Sequence, residues 1–262
     1  MNKFLIFTDA RTGSISLAKI ISSAYNNKLP HKIITEPFCK DSIKNFYPDL
    51  HKKLETELYS INEEEKAWKV EPKQMEKILD TCFEHSHGIK HIWGHLDLRG
   101  KMQNEFIINY AVRKKIKIIL LSRNNFVLKS LSLIMAKQSH VWSADEKNEI
   151  AAAAEFKYER VDMEELERII KEYVKYLYRY KIILSPFKHY DIAYEDFFKT
   201  SLKNAREEDI RKLQDEEILK IFKFLGMHSK NLDKETVDFY LNPTRNQNKN
   251  IYKLVPNIKE VI

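Results

Sequence analysis

The sequence predicts an α/β fold with a central parallel sheet flanked by helices on both faces. Three observations carry this expectation. Short apolar runs alternate along the chain with segments of helical periodicity, the pattern of a parallel sheet. Two of those runs, Phe4–Phe7 and Ile118–Leu121, are apolar without alternation, and the first reads as a strand buried on both faces. Each of these two runs ends at a turn that holds an arginine and leads into a hydroxyl-rich helix.

The elements follow in order. Residues 3–8 read as a buried strand. Ser14 to Asn26 reads as a helix, with Leu17, Ile20, Ile21 and Tyr25 at three-to-four spacing. Lys32-Ile33-Ile34 is a second short strand that stops at Glu36-Pro37. Residues 40–85 are polar and helical in pattern, anchored by Trp68 and Phe83. His91-Ile92-Trp93-Gly94 is the expected third strand. Asn104 to Lys115 is helical, and Ile116 to Leu121 is the clearest strand. Val127 to Lys137 is an apolar helix. Residues 145–160 show no strong period, so a mobile loop is expected over about 143–160. A long amphipathic helix opens at Val161-Asp162 and reaches about Tyr180, with Asp162 as N-cap and Glu165 at the capping-box position. Lys188 to Tyr194 is a strand, and Asp215 to Phe224 is a helix stopped by Gly226. From about Asp233 the chain reads as polar and irregular until Tyr252 to Ile262. Repeats, linkers and low-complexity tracts are missing, so a single domain over 1–262 is expected.

Composition narrows the function. The 262 residues are 43% hydrophobic and 32% charged, which suits a folded chain. The net charge of +7 favours anionic partners. The basic residues are dispersed and not interleaved with aromatics, so nucleic acid is not the expected partner. Cys39 and Cys82 do not form a disulfide framework. The apolar run near the N-terminus is too short for a signal peptide, and no stretch approaches the ~18 apolar residues of a membrane span. A cytoplasmic location without a membrane span is the expectation. His85, His87 and His91 have only loose metal spacing, with no carboxylate to complete a set, so no metal is expected.

The two arginine junctions carry the chemistry. Amides at a helix start are unpaired and partly positive, and so bind anions. An arginine beside them adds a fork matched to phosphate or sulfate oxygens. Arg11-Thr12-Gly13-Ser14 is the first such site, with Ile15 and Ser16 opening the helix. Alone, the tetrapeptide also reads as an ordinary capped turn. It is not followed by GK[ST], which disfavours a P-loop ATPase. The second junction runs from Arg123 to Ser132. Nine helical residues turn through about 900°, so Arg123 and Ser132 converge only if Asn124-Asn125 form a turn and the helix starts after them. Ser130 is the competing hydroxyl. Glu36 ends a strand beside Pro37 and Phe38, a setting for a general base or for a plain loop carboxylate. His95, after Trp93-Gly94, ends another strand and can orient an acceptor hydroxyl. Arg245 and Lys249 belong to a donor-rich tail that can fold over an anionic ligand or remain solvated.

Taken in order, these segments resemble the sulfotransferase superfamily that uses 3′-phosphoadenosine-5′-phosphosulfate (PAPS), and most of all its bacterial nodulation-factor-type carbohydrate branch. Arg11-Thr12-Gly13-Ser14 resembles the 5′-phosphosulfate loop. Leu121-Ser122-Arg123-Asn124-Asn125 through Ser132 resembles the 3′-phosphate motif. Glu36-Pro37-Phe38, Ala136 to Trp142, Val161 to Glu165, Tyr194-Glu195-Asp196-Phe197, Phe224-Leu225-Gly226 and the tail from Asn246 to Val261 are similar in order and spacing. The resemblance implies a P-loop-like three-layer α/β/α fold and PAPS as co-substrate, with no metal. It implies that Arg11 and the amides of Thr12 to Ile15 hold the phosphosulfate, that Arg123 and Ser132 hold the 3′-phosphate, and that Glu36 takes the acceptor's proton. Arg245 and Lys249, in a C-terminal segment over about 233–262, would close over the nucleotide. The acceptor would be a hydroxyl of a carbohydrate or glycolipid, and a homodimer is compatible with it. The sequence departs from the family at Ala10, Ile15 and His95. Ile15 and the low count of five glycines motivate the alternative of a catalytically degenerate nucleotide-binding relative; a P-loop-like kinase is the second enzyme alternative, with the missing Walker lysine against it.

Overall fold

The structure is a computed structural model. It describes residues 2–25, 29–54, 71–94, 101–142, 153–199, 206–228, 230, 232–241 and 252–262. Five strands form one all-parallel sheet: β1 (Phe4–Thr8), β2 (His31–Thr35), β3 (Ser86–Ile92), β4 (Lys117–Ser122) and β5 (His189–Ala193). Their order across the sheet is β2-β3-β1-β4-β5. The register puts Thr8 opposite Ile92 on one side and Leu121 on the other, and Ser122 opposite Ala193. The carboxyl ends of the strands therefore finish along one edge. In an open parallel sheet that edge is where ligands bind.

The helices are α1 (Ser14–Ser23), α2 (Lys40–Phe46), α3 (Pro48–Lys53), α4 (Pro72–His85), α5 (Lys101–Arg113), α6 (Phe126–Ser139), α7 (Met163–Leu184), α8 (Tyr194–Phe198), α9 (Glu207–Leu225), α10 (Lys234–Leu241) and α11 (Ile258–Val261). Alternate residues of β1 feed two cores. Leu5 and Phe7 pack with side chains of α3, α4, α5 and α7. Phe4 and Ile6 pack with α1, α8, α9 and α10. Helices thus cover both faces, which is why β1 and β4 carry apolar residues without alternation. A third cluster joins α6 and the start of α7 to Tyr158, Val161 and Val255. No helix among the described residues is long and apolar enough to cross a membrane.

Several sequence expectations shift. The third strand begins at Ser86, five residues before the expected His91. Its polar side chains are satisfied locally at Ser86 and by more distant segments at Lys90 and His91. Ser86 Oγ donates to the Cys82 carbonyl at 2.8 Å, and His91 pairs with Asn104 at 2.7 Å. Gly88 is small because a Cβ there would lie 2.2 Å from Phe4 Cζ. The long helix starts as expected, with Asp162 Oδ1 accepting from the amides of Glu164 (2.9 Å) and Glu165 (3.4 Å). It runs on to Leu184. Residues 234–241, expected to be irregular, form α10, which buries Val237 and Leu241 one turn apart. Of the expected loop over 143–160, only 153–160 are described. There Tyr158 is buried and donates to the Ala153 carbonyl at 3.0 Å.

Candidate functional site

The β1–α1 loop takes its shape from backbone and hydroxyl chemistry. Arg11 and Gly13 both have left-handed backbone, with φ of 64° and 77°. For glycine this is free, and a non-glycine residue there carries strain of about 1–3 kcal/mol. Strain of this kind is held by surroundings that over-determine it. Thr8 and Thr12 hydroxyls share a hydrogen bond at 2.6 Å, and the Asp9 carbonyl (2.9 Å from Thr12 Oγ1) and the Leu121 carbonyl (2.8 Å from Thr8 Oγ1) are the acceptors within reach of the pair. The Thr12 side chain is thus committed to the loop, leaving its amide as the group available to a ligand. Gly13 is the N-cap of α1; it offers no side chain, and the first turn holds no acidic residue. The amides of Ser14, Ile15 and Ser16 open a ten-residue helix without an intrahelical partner.

Arg11 reaches from this loop to α6. Its Nε donates to Ser132 Oγ at 2.9 Å, and its guanidinium also donates to the Trp142 carbonyl. Burial lowers the Arg11 pKa; the Arg123 charge acts the same way, while the phenols of Tyr252, Tyr194 and Tyr158 act against it. Arginine stays protonated through such shifts.

Arg123 stands one residue beyond β4. The helix α6 starts at Phe126, with Asn125 as its N-cap accepting from the Leu128 amide at 2.9 Å. Asn124-Asn125 therefore precede the helix. Glu195, in the first turn of α8, accepts from the amides of Asn124 (2.8 Å) and Asn125 (2.9 Å). Tyr173 on α7 brackets Arg123: its hydroxyl accepts from the Arg123 amide at 2.8 Å and donates to the Arg123 carbonyl at 3.2 Å. The Arg123 guanidinium lies 4.5 Å over the Tyr194 ring and donates to the Arg11 carbonyl at 3.1 Å. Its Nε is buried and has no partner among the described residues. That orphan donor marks a place for an acceptor from outside the described chain.

The structure thus brings Arg11, Arg123 and Ser132 together, with Ser132 bonded to Arg11 and not to Arg123. Ser130 is fully buried, and its Oγ has no partner among the described residues. Glu36, one residue beyond β2, has φ of 56°. Its carboxylate accepts from buried Lys90 Nζ at 2.8 Å and from Ser42 Oγ at 3.2 Å. β3 separates β2 from β1, so Glu36 stands about 10 Å from the arginine loop, two strand spacings along the same edge. His95, Arg245 and Lys249 lie outside the described residues. The C-terminal segment that is described, 252–262, packs on α6 and α7 through Tyr252, Val255 and Ile258.

Sequence reasoning missed Tyr173, Lys90 and Lys129, and it named Tyr194 and Glu195 only as part of a motif, without a role in the site. For the two lysines the available signal was a charge inside a mostly apolar run, 89–93 and 126–136. The three histidines of loose metal spacing are dispersed. His85 pairs with Lys53, His87 stacks on Tyr25 and His91 pairs with Asn104. Compared with known proteins, the chain matches no protein-family model and no curated protein.

Proposed function

We propose that this protein is a sulfotransferase that moves a sulfuryl group from PAPS to a hydroxyl of a carbohydrate or glycolipid, on a P-loop-like three-layer α/β/α fold. One observation carries the reading: two arginines from separate strand-to-helix junctions meet at the carboxyl edge of a parallel sheet, beside a helix start free of acidic side chains. A ligand with two anionic groups suits this pair of cations better than one with a single charge.

In this scheme Arg11 and the amides of Thr12 to Ile15 hold the 5′-phosphosulfate. Arg123 and Ser132 hold the 3′-phosphate, with the Arg123 Nε donor taking one of its oxygens. Glu36 accepts the proton of the acceptor hydroxyl. The acceptor oxygen bonds to sulfur while the bond from sulfur to the bridging phosphate oxygen breaks, and that oxygen leaves with the electron pair as part of 3′-phosphoadenosine-5′-phosphate. Catalysis is positioning plus neutralisation of charge on the leaving group. His95 orients the acceptor, and Arg245 and Lys249 close over the nucleotide. Lys90 Nζ donates to the Glu36 carboxylate at 2.8 Å and fixes its orientation.

The test is incubation with ³⁵S-labelled PAPS and a panel of sugars, glycolipids and simple alcohols. Label should appear in at least one acceptor and fall with Glu36→Gln. No labelled product, together with phosphoryl transfer from ATP, would overturn the proposal in favour of a kinase.

A further inference from the structure

Two side chains outside this chemical scheme connect the arginine loops. Lys129, in the first turn of α6, is 1% exposed. Its ammonium pairs with the Asp9 carboxylate, at the start of the β1–α1 loop, and lies 4.2 Å over the Tyr173 ring. Tyr173 is the residue whose hydroxyl holds both backbone polar groups of Arg123. Arg123 reaches back to the Arg11 carbonyl, and Arg11 reaches Ser132 on the helix that carries Lys129. The contacts close a ring through Asp9, Lys129, Tyr173, Arg123 and Arg11.

A buried ion pair is a poor source of stability, because desolvation offsets most of the attraction. What it supplies is direction. Among the described residues Lys129 pairs with one carboxylate and lies over one aromatic face, and both belong to the framework of an arginine loop. Without Lys129, the Asp9 carboxylate would stand uncompensated two residues before Arg11 and oppose an incoming anion.

We infer that Lys129 and Tyr173 are positioning residues that hold the two arginine loops in register, so that a ligand with two anionic groups meets a site already assembled. The identity of that ligand rests on the function proposed above; the coupling between the loops belongs to the protein without ligand.

Hydrogen exchange on the unliganded full chain tests the coupling. Tyr173→Phe keeps the ring over Lys129 and removes only the hydroxyl. Exchange should rise at least about fivefold in residues 9–14 as well as in 123–126, the factor one lost hydrogen bond gives, with α4 unchanged. The double variant Asp9→Asn/Lys129→Met removes the pair without leaving an unpaired charge, and should loosen the same two loops. A rise confined to 123–126, an equal rise in α4, or wild-type exchange in the double variant would overturn the inference. Titration with 3′-phosphoadenosine-5′-phosphate and adenosine-5′-phosphate supplies the second readout: the preference for the former should fall about tenfold in both variants, and an unchanged preference would overturn the inference. If the wild type binds neither, the nucleotide reading fails while exchange still decides the coupling.

Discussion

Gly13→Ala is the sharpest single perturbation of the site. Gly13 has φ of 77°, and a Cβ built on it would lie 2.6 Å from Phe198 Cε2 and 2.9 Å from Tyr194 Cδ2. The left-handed conformation costs a non-glycine residue about 1–2 kcal/mol. Overpacking against two buried rings adds about 1–3 kcal/mol. The sum is about 2–5 kcal/mol, which at about 2–4 °C per kcal/mol for a chain of this size lowers Tm by about 4–20 °C. The clash also acts on the site, since Tyr194 is the ring beneath Arg123. Thermal unfolding measures the first effect and calorimetric titration of 3′-phosphoadenosine-5′-phosphate the second. Both stability and affinity should fall. In the Gly13→Ala background, Phe198→Leu should recover part of the stability, because it relieves the clash and leaves the backbone strain. A Tm within about 1 °C of wild type would refute the reasoning about both φ and packing.

Glu36→Gln should lower turnover with little change in nucleotide affinity, because Glu36 stands two strands away from the arginine loop; near-normal turnover would remove it as the base. Ser132→Ala should weaken nucleotide binding about tenfold or more, the value of a hydrogen bond to a charged group, while a larger loss from Ser130→Ala would show that the face of α6 has been misassigned. Burial alone would raise the Glu217 pKa, but hydrogen bonds from Tyr190 (2.6 Å) and Lys220 (3.0 Å) together lower it below its ordinary 4.5. A depressed carboxylate contributes stability above its unfolded pKa and loses it as pH falls through the folded value. Urea unfolding should therefore show stability falling below about pH 4.5, with a shallower fall in Tyr190→Phe; equal slopes would contradict the assignment.

What the sequence disclosed depended on how local the cause was. β1 and β4 were legible because each holds four consecutive apolar residues, Phe4–Phe7 and Ile118–Leu121, which the fold buries. The Asp162 cap was legible because capping acts within three residues. β3 was placed late because Lys90 and His91 look polar until Glu36 and Asn104 are brought to them by the fold. α10 was missed because its burial rests on few residues, Val237 and Leu241 with Tyr240 half-buried beside them. In the site, the two arginine junctions were readable as turns after apolar strands. Tyr173 and Glu195 were not, because each acts on a backbone 50 or more residues away. The partner of Ser132 was not readable either, since which arginine it meets depends on how the β1–α1 loop crosses α6.

The most direct measurement is calorimetric titration of the wild type and of Arg123→Ala with 3′-phosphoadenosine-5′-phosphate, beside adenosine-5′-phosphate and ATP. A two-anion site predicts tight binding that depends on the 3′-phosphate. It also predicts that Arg123→Ala costs the 3′-phosphorylated ligand far more than the analogue lacking that group. Equal losses for the two ligands, or binding selective for ATP with magnesium, would contradict the assignment of the arginine pair.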